Sequence, residues 1–149
     1  MKMKRLTFYL LFTVGTCTYL PAQKASVFQT NGVALNGYDP VAFFITGTPV
    51  RGTRDHLFNW HEADWLFSSQ DHLDSFKLSP EKYAPQYGGY CAYGTAEGHK
   101  APTEISTWTI VDGKLYFNYN PKVKEMWSKK RAEQIIKADK NWELIKNAE

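Results

Sequence analysis

The chain has 149 residues, a length that suits one domain with a hydrophobic core of its own. Its formal charge of +3 comes from Lys2, Lys4 and Arg5, and from Gln23 onward 15 basic residues balance 15 acidic ones. Nucleic-acid-binding proteins normally present a basic face, so this balance argues against a nucleic-acid partner.

The first 22 residues have the order of a secretory signal peptide. Positive charges in residues 1–5 precede an apolar run in residues 6–14, and the small residue Ala22 precedes Gln23. That run is too short for a membrane span of roughly 20 residues. Thr16 precedes Cys17 where a lipoprotein signal needs Gly, Ala or Ser, which disfavours lipidation. We therefore predict cleavage after Ala22, export to the periplasm or the medium, and no transmembrane segment.

Loss of residues 1–22 would also remove Cys17 and leave Cys91 as the one cysteine of residues 23–149. A single cysteine forms no internal disulfide, so packing has to hold the fold together. The 5 Trp, 9 Tyr and 9 Phe residues fit that need, because each aromatic side chain buries a large area. An unpaired thiol in an oxidising compartment has to be buried, ligated or reactive.

Turn signals and hydrophobic patterns divide the first half of residues 23–149 into short elements. Alternating aromatic residues on both sides of a polar link predict a hairpin over residues 56–68 with its turn at 61–64. Ser69 is a favourable N-cap for the helix that follows. The predicted order is a polar leader (24–30), a turn (31–32), a strand edge (33–35), a short helix from Pro40 to residue 44, the hairpin, and a helix (70–77) that ends before Pro80.

The second half contains a clearer hairpin and a long helical arm. Strands at residues 108–111 and 114–119 flank Asp112 and Gly113, a pair that suits the tight turn with positive φ at both central residues. Asn120 followed by Pro121 predicts an N-cap and a first helical position. The helix should run to about residue 147 with a bend near Lys130. Its predicted apolar stripe consists of Val123, Met126, Trp127, Ile135, Ile136, Trp142 and Ile145. The predicted fold class is α+β, a small antiparallel sheet of hairpins with short helices and a C-terminal helical arm, in a single domain over residues 23–149.

Several segments together resemble a YHS domain. They are residues 37–44 (GYDPVAFF), 65–69 (WLFSS), Phe76 with 80–83 (PEKY), 87–92 (YGGYCA) and 108–119. The last two are similar to the longer, exported branch of that family. The resemblance covers roughly residues 33–142, and it implies a YHS-like fold.

The metal-binding members of the family carry cysteines in two boxes, and the resemblance maps those positions onto this chain. The first box has Ala42 where those members have cysteine, and the second has Ser68 and then His72. The family's ligand set is therefore largely absent, while the fold is expected to be retained. The resemblance also brings the two boxes together, so we expect Cys91 beside the Asp39 turn and the helix of His72.

Residue chemistry suggests a metal site or a small-ligand pocket near Cys91. The candidate metal ligands are Cys91, His72 and His99, and a thiolate with imidazoles would suit copper(I) or zinc. The alternative for Cys91 is a small buried hydrophobic residue. The alternative for His72 is a surface or capping residue. His99 follows Cys91 by eight positions, which is not a recognised zinc spacing.

A tyrosine-lined pocket is the second candidate. Tyr38, Asp39, Tyr87 and Tyr90 are its predicted lining residues, and packing with hydroxyl hydrogen bonds is the alternative for the tyrosines. Asp39 precedes Pro40, so its carboxylate could instead accept backbone N–H groups as a turn or cap residue.

Three functions follow from these residues. The first is an exported, non-enzymatic binding protein that takes a metal ion or small ligand near Cys91. The second is a structural or protein-interaction domain with an inert buried cysteine. The third is a thiol-dependent periplasmic enzyme or redox sensor, for which the spacing of cysteine, histidine and carboxylate residues gives no specific support.

Overall fold

The computed structural model describes residues 25–148. The predicted signal peptide and Cys17 lie outside the described residues. Between residues 25 and 148, none of the helices combines the length and the apolar character that crossing a membrane requires.

The described residues form an α+β fold, as predicted. Two small sheets carry the strands, and short helices connect them before a helical arm at the C-terminus. The elements are β1 (Gln29–Thr30), β2 (Val33–Ala34), a 3₁₀ turn (Leu35–Gly37), α1 (Ala42–Ile45), β3 (Thr53–Trp60), β4 (Ala63–Phe67), α2 (Gln70–Leu78), α3 (Pro80–Tyr83), a second 3₁₀ turn (Gln86–Gly89), α4 (Ala92–Ala96), β5 (Glu104–Val111), β6 (Lys114–Asn118), α5 (Pro121–Lys129) and α6 (Arg131–Ile145).

The first hairpin, β3–β4, is present, but its turn is shorter than predicted. Phe58 lies opposite Trp65, and the connection has only His61 and Glu62, with φ of 50° and 59°. A two-residue turn with positive φ at both positions matches the twist of the strands, so Ala63 is already in β4. The prediction of a four-residue turn was wrong because neither turn residue is glycine.

The N-terminal part of the sheet was predicted only in part: the strand edge expected at residues 33–35 is β2, whereas β1 was missed. The segment interpreted as a polar leader contains β1, which pairs with β2 around the predicted turn at residues 31–32. Strand β2 then pairs in parallel with β4 through Val33 and Asp64, which gives the order β1-β2-β4-β3. A contact through one residue pair leaves no periodic pattern in the sequence.

The turn of the second hairpin and the start of the helical arm match the prediction, but β5 begins at Glu104, four residues before the predicted strand. Asp112 and Gly113 have φ of 51° and 74° between β5 and β6. The side chain of Asn120 accepts the N–H of Val123 at 2.9 Å, with Pro121 at the first helical position. The bend near Lys130 is a full break between α5 and α6, since Lys130 has φ −131° and ψ 33°.

The buried face of the arm differs in part from the predicted apolar stripe. Trp127 is fully buried as expected, whereas Met126 and Ile136 are 42% and 72% exposed. Gln134 and Ala138 are buried instead. The break at Lys130 rotates α6 relative to α5, so one continuous helical stripe does not describe both.

The main core is an aromatic cluster centred on Phe76 of α2, a residue with no exposed surface. Its ring contacts rings of the first hairpin, with centroid separations of 5.1 to 6.4 Å, from Phe58, Trp60, Trp65 and Phe67. A second cluster, which includes Tyr116, Trp127 and Ala138, packs the helical arm against β6. The two clusters hold the hairpin and the arm in fixed positions on either side of residues 84–88.

Candidate functional site

Asp39 is the centre of a buried hydrogen-bond cluster. Its Oδ1 accepts the N–H groups of Val41 and Ala42 at 2.8 and 3.3 Å, which caps the turn into α1 as predicted. Its Oδ2 accepts the N–H and the hydroxyl of Ser68 at 2.9 and 2.7 Å and lies 2.6 Å from Nδ1 of His72. Asp39 has no exposed surface, and the hydrogen bonds of its carboxylate connect α1, the end of β4 and α2.

The same three side chains do not form a nucleophilic triad. In a triad, the histidine uses one ring nitrogen for the carboxylate and the other for the serine. Here Ser68 Oγ lies 3.3 Å from the same Nδ1 of His72 that contacts Asp39, and its hydroxyl donates to Asp39. Ser69 Oγ accepts the His72 N–H at 3.2 Å, the predicted helix cap. The cluster is therefore structural, with the ring of His72 fixed at its edge.

Cys91 lies at another site, which corrects the expectation that it sits beside Asp39 and His72. Its backbone N–H donates to the carbonyl of Ala101 at 3.0 Å, and the residue forms a bridge to Phe117 of β6. Its Sγ accepts the N–H of Gly94 at 3.4 Å and contacts Asn118 Oδ1 at 3.8 Å. The segments of residues 39–42 and 68–72 meet at Asp39, and the cysteine is held by β6 and α4.

The Cys91 thiol is poorly suited to nucleophilic chemistry. It is 1% exposed, and burial raises its pKa against the lowering effect of hydrogen bonds from the N–H groups of Gly94, Tyr119 and Tyr93. Reactive cysteines are partly exposed and have a lowered pKa. These properties agree with the alternative of a small buried residue.

Of the predicted metal ligands, Cys91 and His99 come together and His72 does not. Cys91 and His99 line one cavity of about 320 Å³ with Tyr93, Tyr119 and Val123. His72 is instead paired with Asp39. Among residues 25–148, no group of three or more His, Cys, Asp or Glu side chains has an arrangement that could hold a metal ion.

Of the four predicted pocket residues, Tyr87 and Tyr90 both contact the Trp142 ring, whereas Tyr38 and Asp39 have other partners. The Tyr38 ring lies under the guanidinium of Arg51 at 4.5 Å, and Asp39 is enclosed in the cluster described above. The hydroxyl of Tyr87 donates to Asp139 Oδ1 at 2.8 Å, and that of Tyr90 donates to the carbonyl of Ala25 at 2.8 Å. Of the four, Tyr87 lines a large cavity, because the 3₁₀ turn that contains it faces α6.

A groove between two tryptophans was not predicted. Two cavities of about 380 and 340 Å³ share five lining residues, and we call them together the Trp60–Trp142 groove. The shared residues are Trp60, Ala84, Pro85, Gly88 and Trp142. The groove lies between the first hairpin and α6, and residues 84–88 form its floor.

The two tryptophans are held by their surroundings. Trp60 packs edge-on against Phe76 at 5.6 Å, and its carbonyl accepts Nε1–H of Trp65 at 3.0 Å. Trp142 contacts the rings of Tyr87 and Tyr90 at 6.1 and 6.3 Å. Both walls therefore rest on buried aromatic side chains and are in place before any ligand binds.

Lys100 holds the residues that follow α6, and Gly88 lets the N-terminal segment cross the floor of the groove. Nζ of Lys100 lies 6.0 Å from the Trp142 ring and donates to the carbonyls of Lys146 and Ala148 at 2.8 and 3.3 Å, which satisfies the end of the arm. Gly88 has φ of 61°, and a Cβ there would lie 1.9 Å from the carbonyl oxygen of Ser26. Only glycine lets the N-terminal segment cross the floor at this distance.

The two halves of the groove differ in charge. One half is lined by Glu81, Asp139 and Glu143, with Lys114 as the cation among its lining residues. The other half is mostly apolar, with Val27, Trp65 and Pro85, and Lys146 lies at its edge.

Tyr87 and Tyr116 stay neutral beside the half of the groove that is lined by carboxylates. Burial, and then the Asp139 carboxylate, raise the pKa of Tyr87 well above its ordinary value. The same two causes together with Asp112 raise the pKa of Tyr116 to about 12. Both hydroxyls therefore stay protonated at neutral pH, and Tyr87 remains a hydrogen-bond donor to Asp139.

A scan against models of known families found no match, and searches of curated proteins and of solved structures found none either.

Proposed function

We propose that this protein is an exported, non-enzymatic binding protein of the YHS type that holds a small organic ligand in the Trp60–Trp142 groove. The observation that carries the proposal is a pair of adjoining cavities walled by two supported indole side chains. Small-molecule sites are concave, mostly apolar and largely preformed, with a few polar groups that orient the ligand. The groove is concave, its walls rest on buried rings, and its apolar half adjoins a polar half that can orient a ligand, whereas the thiol of Cys91 is buried.

A ligand screen tests this proposal on the chain that begins at Gln23. Small cationic, neutral and anionic compounds would be titrated while intrinsic tryptophan fluorescence and the melting temperature are recorded. We expect at least one class to change both signals, because the groove is walled by two of the five tryptophans. At a free concentration one hundred times the dissociation constant, mass action gives about 2.7 kcal/mol of added stability.

Substitutions on α6 separate groove binding from other effects. Trp142→Leu should weaken binding at least about tenfold by removing one wall of the groove, the loss expected for a buried aromatic contact. Leu144→Ala is the matched control, since Leu144 is on the same helix and 73% exposed. Equal affinity in the parent and the folded Trp142→Leu variant, or no binding in any class, would contradict the proposal.

A second candidate is copper(I) binding at Cys91, which the shared cavity of Cys91 and His99 favours. Two side chains are fewer than the protein ligands of a zinc site, so copper(I), which accepts a thiolate and an imidazole, is the metal to test. We expect about one equivalent of copper(I) to raise the melting temperature of the parent. Cys91→Ser and His99→Ala should each abolish that rise, while His61→Ala, in the hairpin turn, should keep it.

The outcome for Cys91→Ser without metal is equally informative. If copper(I) leaves the parent unchanged and Cys91→Ser lowers the free energy of unfolding, the thiol is a core residue. Alkylation of the native protein gives an independent measurement, because an inert core thiol reacts only after denaturation.

A further inference from the structure

The walls of the Trp60–Trp142 groove suit a cation. The electron-rich face of an indole attracts a positive charge within about 6 Å, and tryptophan does so most strongly among the aromatic residues. Sites for quaternary ammonium groups combine several such rings. Here Trp60 and Trp142 line both cavities and are partly exposed, and Trp142 already attracts the ammonium group of Lys100, which lies 6.0 Å from its ring centre. Trp65 and Tyr87 each line one cavity but are buried.

Negative charge is concentrated in one half of the groove, while Lys146 lines the other half and Lys100 lies beside the Trp142 ring. Glu81, Asp139 and Glu143 line its polar half together with the cation Lys114. Glu143 is occupied, since its Oε2 lies 2.7 Å from Nζ of Lys146. Asp139 accepts a hydrogen bond from the neutral hydroxyl of Tyr87, and a neutral donor does not cancel the negative charge of Asp139. Glu81 and Asp139 thus supply negative charge beside the indoles.

The apolar half adds a requirement on the rest of the ligand. Trp60 and Trp142 are the partly exposed aromatic residues of that half, and behind them lie Val27 and Trp65, which are 4% and 1% exposed. A strongly hydrated cation such as an ammonium ion would lose its water without compensation there, whereas a methylated ammonium group carries its charge inside an apolar shell. An anion would face Glu81 and Asp139, and a neutral compound would gain nothing from them.

We propose that the Trp60–Trp142 groove binds a small organic cation with a methylated ammonium group, between the two indoles and beside Glu81 and Asp139. The proposal rests on the proposed function and names its ligand class.

Choline and its neutral isostere, in which a tert-butyl group replaces the trimethylammonium group, provide the test. The two compounds have nearly the same shape and differ in charge. Titration calorimetry on the chain that begins at Gln23 should give choline an affinity at least about tenfold higher, the preference that a desolvated cation–π contact supplies. Added salt should weaken choline binding and leave the isostere unaffected.

Two charge variants localise the effect. Glu81→Gln and Asp139→Asn should each weaken choline severalfold and leave the isostere unchanged, and Asp139→Asn keeps an acceptor for Tyr87. Glu133→Gln is the control, since Glu133 is an exposed acid on α6 that pairs with Lys137 outside the groove. Melting curves would establish that each variant is folded.

The outcomes distinguish the ligand class from the binding function. If the isostere or an anion binds as tightly as choline, the cation proposal is overturned and the groove keeps its binding function. If choline fails to bind while other compounds bind and depend on Trp142, the same conclusion holds. If no compound binds, both proposals fail together.

Discussion

Asp39→Ala should lower the free energy of unfolding by about 3–5 kcal/mol, because each buried donor that loses its acceptor costs about 1–3 kcal/mol. The carboxylate has no exposed surface and accepts from Val41, Ala42, Ser68 and His72. Alanine leaves those donors without a partner in a space that their side chains cannot fill. Urea denaturation followed by circular dichroism measures the change.

Two milder variants show whether the loss comes from the carboxylate. Asp39→Asn keeps one acceptor oxygen but turns an amide N–H₂ toward the remaining donors, so it should cost less than alanine and still more than about 1 kcal/mol. Ser68→Ala removes a single hydroxyl donor and should cost about 1 kcal/mol. If Asp39→Ala stays within about 1 kcal/mol of the parent, the cluster does not hold α1, β4 and α2 together.

Local signals in the sequence predicted much of the fold. The cap at Ser69, the cap at Asn120 with Pro121, and the turn at Asp112 and Gly113 each depend on residues no more than three positions apart. Their physics is contained in a short segment, so a sequence pattern is enough to find them. The turn at His61 and Glu62 was predicted to be two residues longer than it is. Both residues have positive φ although neither is glycine, so the sequence carries no sign of a two-residue turn.

Long-range contacts account for what could not be predicted at the sites. Asp39 was recognised as a cap, but its pairing with His72 crosses from the turn before α1 to α2. Trp60 was assigned to a hairpin and Trp142 to a helical stripe, and each assignment is correct in its segment. That they face one groove depends on the break at Lys130 and on the packing of α6 against α4, which leave no periodic signal.

The position of Cys91 shows the limit of reasoning from a resemblance. The two segments that were compared with the metal-binding boxes do meet, through Asp39, Ser68 and His72. Cys91 lies outside both segments, at the start of α4 and beside Phe117 of β6. The resemblance therefore gave no information on its neighbours.

Phe76→Ala should also be strongly destabilising, by about 3–5 kcal/mol, because it empties the centre of the aromatic core. Phe76 is fully buried and its ring contacts those of Trp60, Trp65 and Phe67. Their packing prevents full collapse into the space, so a cavity should remain. Phe44→Ala is the matched control, since Phe44 is half-buried at the edge of the same core, and it should cost clearly less.

The same residue links stability to the proposed site. Phe76→Leu keeps most of the volume and should cost less than alanine, but it removes the edge-on ring contact that holds Trp60. A folded Phe76→Leu protein should therefore bind a groove ligand more weakly than the parent, although Phe76 does not line the groove. Parallel measurements of unfolding and of ligand affinity separate the two effects. Unchanged affinity in this variant would mean that Trp60 is held by Trp65 and the strand backbone without help from Phe76.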